Sequence, residues 1–369
     1  MLKMFCLSLT CLTTLCVGMP LAPTIAAELT EFLPSRSTEN TAAIAKASSD
    51  SNLLITVQDL AGFNGIITAL NVTPDGKYLI VGTGDNTINL IDIAKQIVSY
   101  TQGSQPNDYS DTSVQSVIYT QNSQINDFSD IAISQNGQLM AIAAGNNVEL
   151  RRVADGERIK SLSGHTNKVS SMAFSPDAKI LVSVSGGDRT IRIWDVETGK
   201  LLKTLADNIG PTTNVVFTPD GSQFITGAIG GDRTIRFWDA QTFKLLKTSE
   251  QQPGFINGLA VTPNGVNLVA AVRNFVKIWN LSSGQELHST KGPSLEINAI
   301  AVSPNSKLVA TANKEGSIMV FDIVTGKMIT TLSGHNGWVL SLAFSPDGKT
   351  LYSGAEDKTV KIWQLKEGN

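Results

Sequence analysis

Thr331-Leu332-Ser333-Gly334-His335 opens a unit that continues through an apolar run, Trp338 to Phe344, and the turn Ser345-Pro346-Asp347-Gly348. A short run, Thr350 to Ser353, comes next, then the acidic turn Glu356-Asp357, then Thr359-Val360-Lys361-Ile362-Trp363. A fourth run, Lys327 to Leu332, precedes them all. Four short β-type runs parted by strong turn signals describe antiparallel strands. Pro-Asp-Gly suits a tight turn, since Pro presets φ and Gly accepts positive φ without steric cost. No helical period appears in the unit.

Working outward, the same turn or a degraded form of it begins at Thr73, Ser134, Ser175, Thr218, Thr262, Ser303 and Ser345. The intervals are 61, 41, 43, 44, 41 and 42 residues. The position held by Trp363 recurs in step as Ile91, Arg151, Trp194, Trp238, Trp279 and Phe321. Seven units share one phase, with one long interval between the first and second. Self-similarity at such a period marks a repeat architecture.

With four strands per unit and this signature, residues 53–365 resemble the WD-repeat β-propeller family. The resemblance implies an all-β fold, a seven-bladed β-propeller of four-stranded antiparallel blades spanning 53–366. In the two best copies it implies a four-residue hydrogen-bond chain: His165, Ser183, Asp188 and Trp194, then His335, Ser353, Asp357 and Trp363. A buried Trp needs an acceptor for its indole N–H, and a hydroxyl, an imidazole and a turn carboxylate satisfy one another in series. Copy four keeps Thr226, Asp232 and Trp238 but has Asn208 where His is expected. Copy two has Arg151 at the Trp position, and both of these copies are expected to rely on apolar packing.

Leu60 lies thirteen residues before Thr73, as Leu162, Leu205 and Leu332 lie before their own turns. The run Leu53 to Leu60 therefore reads as an outer strand whose three partners are missing upstream. The last copy conversely stops at its third strand. Both gaps close if the N-terminal strand completes the seventh blade, which also removes free sheet edges.

Residues 1–27 read as a secretory signal peptide: Lys3, an apolar stretch from Met4 to Val17, then Pro20 and Pro23 before Ile25-Ala26-Ala27. Bulky Leu15 argues against lipidation at Cys16, where a small preceding residue is wanted. Cys6, Cys11 and Cys16 are the only cysteines, so a processed chain has no disulfide or thiol chemistry. The expectation is an exported protein, periplasmic or extracellular, with no stable membrane span. Residues 28–52, rich in Ser, Thr, Ala and Asn, read as a flexible linker. An insertion at about 101–120 explains the long interval. The outer strand beside it is either Gln96 to Thr101 or Val114 to Thr120, and periodicity does not choose. Loops of such length are functional or disordered.

The chain has 369 residues, 41% apolar and 17% charged, with a formal net charge of −3. Without residues 1–27, whose one charge is Lys3, that becomes −4. Mild acidity argues against nucleic acid as a partner. Of three histidines, His165 and His335 belong to the implied chains and His288 stands alone, with no metal-ligand spacing. Gly348-Lys349-Thr350 looks like the end of a phosphate-binding loop, but Ala343 occupies the place of its first Gly. Asp75, Asp177, Asp220 and Asp347 fall in the repeated turn, where capping suffices to explain them. No catalytic residue, cofactor or metal is expected.

Rim residues remain. The loops between second and third strands carry Arg189, Arg233, Arg273, Lys314 and Lys358, which read either as a basic arc or as solvated charges. The starts of the inner strands carry Ile66, Asp127, Lys168, Pro211, Phe255, Glu296 and Trp338, and exposed Trp and Phe amid mixed charge suit a binding hot spot. The inner strands Val169 to Phe174 and Val339 to Phe344 are nearly bare of titratable groups. The sequence thus favours a non-catalytic, monomeric platform for protein partners over a small-molecule, glycan or catalytic site in the central channel.

Overall fold

A computed structural model of the protein describes residues 43–44, 53–95, 97–102, 128–206, 210–292 and 295–367. The expected signal segment 1–27 with Cys16, most of the linker 28–52, most of the insertion 101–120, Asp127 and Asn208 lie outside those residues.

The described strands form seven antiparallel sheets, with no helix among them. From the inside outward, blade 1 is Ile67–Val72, Tyr78–Thr83, Ile88–Asp92 and Ile97–Gln102. Blade 2 is Phe128–Ile133, Leu139–Ala144, Asn147–Arg152 and Arg158–Leu162. Blade 3 is Ser171–Phe174, Ile180–Ser185, Thr190–Asp195 and Leu201–Leu205. Blade 4 is Thr212–Phe217, Gln223–Ala228, Ile235–Asp239 and Leu245–Thr248. Blade 5 is Ile256–Val261, Asn267–Val272, Phe275–Asn280 and Glu286–Lys291. Blade 6 is Ile297–Val302, Leu308–Asn313, Ser317–Asp322 and Met328–Ser333. Blade 7 is Val339–Phe344, Thr350–Ala355 and Val360–Glu367, with Leu53–Leu60 as its outer strand. Inner strands neighbour one another in chain order, and the last neighbours the first, so the sheets close into a seven-bladed β-propeller.

Closure follows the expected route. Leu53–Leu60 pairs with Val360–Glu367 over its whole length, with Val57 opposite Trp363. Lys361 Nζ reaches both carboxylate oxygens of Asp59, at 2.6 and 2.7 Å. The Leu70 N–H of blade 1 donates to Ser341 Oγ of blade 7 at 2.9 Å. Ala43–Ile44 pairs onto the far edge of Leu53–Leu60. Of the two candidates for the outer strand of blade 1, the structure places Ile97–Gln102 there; Val114 to Thr120 lies outside the described residues.

The core is divided among the junctions. Seven apolar clusters each draw on two adjacent blades, as strand alternation requires: in blade 3, Ile191 and Ile193 face blade 4 while Trp194 and Val196 face blade 2. Second strands are covered on both faces and are buried almost throughout, as in Tyr78–Thr83 and Thr350–Ala355.

The repeated turn has one geometry in all seven copies. The Ser or Thr hydroxyl donates to the Asp or Asn two residues on, at 2.5–2.7 Å. It also accepts the N–H five residues on, at 2.9–3.1 Å. The hydroxyl bonds hold the carboxyls of Asp75, Asp177, Asp220 and Asp347 below their usual range. Two copies put Ala178 and Ser306 at the left-handed position, φ 58° and 61°, that Gly holds in the others. A Cβ there costs roughly 1 kcal/mol.

Candidate partner-binding site

In blade 3, Trp194 Nε1 and His165 Nε2 each lie 2.8 Å from Ser183 Oγ, and His165 Nδ1 lies 2.8 Å from Asp188 Oδ2. In blade 7, Trp363 Nε1 is 2.8 Å from Ser353 Oγ, which is 2.7 Å from His335 Nε2, and His335 Nδ1 is 2.9 Å from Asp357 Oδ2. Chemistry sets the direction of both chains. An indole N–H only donates and a carboxylate only accepts, so the serine donates to Nε2 and each imidazole donates through Nδ1. Burial keeps His165 and His335 neutral by lowering their pKa values, against the pull of Asp188 and Asp357. Burial also works against ionisation of the two aspartates. Bonds from Thr190 and His165, and from Thr359, the Asn336 N–H and His335, outweigh it and hold them ionised. These side chains are consumed in holding each blade to the loop above it.

Blade 4 keeps half of the arrangement. Trp238 Nε1 donates to Thr226 Oγ1 at 2.9 Å, while Asp232 accepts from the Gly210 N–H at 2.9 Å and pairs with Arg236 at 2.8 Å. Blade 2 corrects the expectation of purely apolar packing. Arg151, buried at the Trp position, is held by Glu149 and donates to the Gly156 carbonyl at 2.9 Å, and Glu149 also takes Arg158 at 3.3 Å. A satisfied ion pair thus replaces the aromatic ring.

The loops that carry the rim residues meet on one face of the ring. The Arg273 N–H donates to the Phe255 carbonyl at 2.9 Å, and the Glu356 N–H to the Trp338 carbonyl at 3.0 Å. Phe255 and Trp338 are each 43% exposed, and Leu295 is 46% exposed. Lys314 Nζ lies 4.8 Å above the Trp338 ring and 3.5 Å from Glu296 Oε2. Glu296 and Leu295 also line a cavity of about 430 Å³ with Arg273, Asn274, Phe275 and Lys291. The structure therefore gathers Phe255, Arg273, Lys314 and Trp338 across blades 5 to 7 and adds Leu295 and Glu296. Lys358 follows Glu356 on blade 7, whereas Lys168 and Arg189 stand on blade 3 and Arg233 on blade 4. Of the five cations at this register, Lys314 is paired with Glu296. Arg189, Arg233, Arg273 and Lys358 share left-handed φ values of 50–63°, so this register position is set by the turn.

Comparison with known proteins bears on this geometry. The WD domain, G-beta repeat model matches residues 54–92, 156–195, 199–239 and 326–364, and the model of the anaphase-promoting complex subunit 4 WD40 domain matches 257–339. An uncharacterized WD repeat-containing protein of Synechocystis sp. is 66% identical over 268 residues, 73% of this chain and 72% of that protein. The chain belongs to the WD-repeat family. Nuclear distribution protein nudF of Aspergillus niger is 31% identical over 218 residues, covering 58% of this chain and 43% of that one. Periodic tryptophan protein 2 of Arabidopsis thaliana is 26% identical over 206 residues, covering 56% and 23%. The chain spans less than half the length of these last two relatives. Each WD repeat begins on the outer strand of one blade and ends on the third strand of the next, and that offset is why Leu53–Leu60 must close blade 7.

The central channel of this WD-repeat ring is lined largely by amides and hydroxyls. Its cavity, of about 550 Å³, is edged by Asn71, Asp130, Asn214, Asn257 and Asn298 with several hydroxyls. Three of these side chains tie neighbouring inner strands together. Asp130 Oδ2 accepts the Met172 N–H at 2.7 Å, Asn214 Nδ2 donates to the Ile256 carbonyl at 2.8 Å, and Asn71 Nδ2 donates to the Ile131 carbonyl at 3.2 Å. Burial pushes the Asp130 carboxyl up to about 6, outweighing the N–H and hydroxyl bonds that favour its charge. Asp130 aligns with Ser171 and Ser341, four residues before each turn; comparing all seven copies at that register would have exposed it. Among the described residues, no group of three His, Cys, Asp or Glu side chains is arranged to hold a metal ion, and no helix is long and apolar enough to cross a membrane.

Proposed function

We propose that this protein is a non-catalytic platform that binds a protein partner through the rim patch of blades 5 to 7, in an exported compartment. One observation carries the reading. Phe255, Leu295 and Trp338 hold apolar side chains in solvent on a rigid rim, beside the Lys314–Glu296 pair that orients toward the indole. An aromatic anchor flanked by orientable charges is the composition of a binding hot spot. The relatives support the coarser part, since the anaphase-promoting complex model describes a subunit of an assembly. Export rests on the sequence of residues 1–27, and a cysteine-free processed chain suits an oxidising compartment.

The test is cross-linked capture from the native compartment with wild-type protein and a Trp338→Ala/Phe255→Ala double variant of unchanged melting temperature. Loss of a stoichiometric partner in the variant is the expected result. An identical partner set would remove these residues from the interface. The channel offers a second reading, a small polar ligand among Asp130 and the asparagines, because Asn298 Nδ2 is buried there without a hydrogen-bond partner. Native mass spectrometry of the purified protein separates the two, since a retained small molecule favours the channel.

A further inference from the structure

The junction between blades 4 and 5 is built differently from those in front of blades 3, 4 and 7, and two substitutions in the repeat explain it. Thirteen residues before the next turn, Leu162, Leu205 and Leu332 cover Trp194, Trp238 and Trp363 of the following blade. Blade 4 has Ser249 at that place. Its hydroxyl turns back to the main chain, accepting the Ile235 N–H at 2.9 Å and donating to the Glu250 carbonyl at 2.7 Å. No leucine therefore covers Trp279 from this register position. The second substitution is Ala270, which stands opposite Lys277 in the register where Ser183, Thr226 and Ser353 stand opposite Arg192, Arg236 and Lys361. The indole N–H of Trp279 thus lacks the hydroxyl acceptor found in blades 3, 4 and 7.

The result is a groove of about 430 Å³ on the outer wall, floored by Ile235, Phe237, Leu268 and Leu281 and walled by a half-buried Trp279. Its ends differ in chemistry. Gln252, only 8% exposed, lines the rim end; its Nε2 donates to the Glu250 carbonyl at 3.0 Å while its buried Oε1 has no partner. At the other end Lys247 lies 5.9 Å over the Phe237 ring, against Gly284, with no carboxylate partner among the described residues. Lys277 is already neutralised by Glu286 at 2.9 Å, so Lys247 is the cation available there.

We propose that this groove binds an extended peptide segment of a protein partner, which places a leucine side chain against Trp279 and an acidic residue against Lys247. The leucine fills the site that the chain's own leucine fills at three other junctions. The peptide main chain supplies what the walls lack, a carbonyl for the Trp279 N–H and an N–H for Gln252 Oε1. Charge sets the direction: the acidic residue lies toward Lys247 and Gly284, away from Glu250. This site is separate from the rim patch, so its failure would leave the rim reading standing.

The probe is an end-capped hexapeptide with adjacent Leu and Asp, compared with its Leu→Ala and Asp→Lys versions by calorimetry against the full chain. The Leu/Asp peptide should bind at least tenfold more tightly than either control. Ser249→Leu, which restores the residue used at the other junctions, should abolish binding without lowering the melting temperature. Lys247→Glu should reverse the preference between the Asp and Lys peptides. Undiminished binding by Ser249→Leu, or no preference for the leucine, overturns the proposal. So does a dimer of the chain that Ser249→Leu dissolves, which would assign the groove to a second copy.

Discussion

Ser353→Ala separates the polar chain of blade 7 from its packing. The serine is fully buried, and its single oxygen serves both Trp363 Nε1 at 2.8 Å and His335 Nε2 at 2.7 Å. Alanine keeps the Cβ and leaves almost no cavity, yet it strands one donor and one acceptor where water does not reach. Each buried group left unsatisfied costs about 1–3 kcal/mol. His335 retains Asp357, so the two losses together should come to about 2–4 kcal/mol. Thr311 provides the control. It occupies the same register position in blade 6, where the aromatic is Phe321 and carries no N–H, and its hydroxyl makes one long contact, 3.5 Å to the Met319 carbonyl. Thr311→Val should therefore cost less than about 1 kcal/mol. Urea unfolding followed by far-ultraviolet circular dichroism measures both. In a double-mutant cycle, Trp363→Phe should cost less in the Ser353→Ala background than in the wild type, because one orphaned group has already been removed. A Ser353→Ala cost no larger than that of Thr311→Val would refute the argument that the hydroxyl holds the indole in place.

Two further outcomes are expected. Burial lowers the pKa of His165, near Asp188 and Arg192, and of His335, near Asp357, Lys361 and Asp59. The unfolded chain binds protons near pH 6.5 and the folded one resists, so their contribution is full above that pH and is lost on acidification. Asp130 opposes them: its folded value of about 6 exceeds the ordinary 3.8, so its contribution is present at low pH and lost as pH rises through 6. Melting temperatures between pH 7.5 and 4.5 should therefore fall more steeply in Asp130→Asn than in wild type, and a shallower fall would contradict the assignment. Asp59→Ala leaves the buried Lys361 ammonium without its carboxylate at the ring seam. A loss of about 3 kcal/mol is expected by urea unfolding; a loss under about 0.5 kcal/mol would mean that the pair is merely a surface contact.

Much of this structure was legible in the chain alone, for a local reason. The turn network spans five residues, from Ser345 to Thr350 and its six counterparts, and so imprints a motif at fixed spacing. The His, Ser, Asp and Trp of blades 3 and 7 lie within one repeat, at separations that sequence phase preserves. Of the rim residues, Phe255 and Trp338 could be placed at strand starts, but their grouping with Leu295, Glu296 and Lys314 could not. Those contacts join residues on different blades.

By itself, then, the order of residues determined seven blades, their turns and the closing strand, because a period near 42, the unpartnered run Leu53 to Leu60 and a last copy one strand short admit one arrangement. Only the tertiary structure decided what the junctions hold: Asp130 bridging to Met172 on the neighbouring inner strand, Lys314 set over the Trp338 ring, and Trp279 left open beside Ser249. A blade's two faces pack against different neighbours about one repeat away. Whether a side chain is covered, paired or stranded is therefore a property of two repeats at once, and a motif read along a single repeat does not contain it.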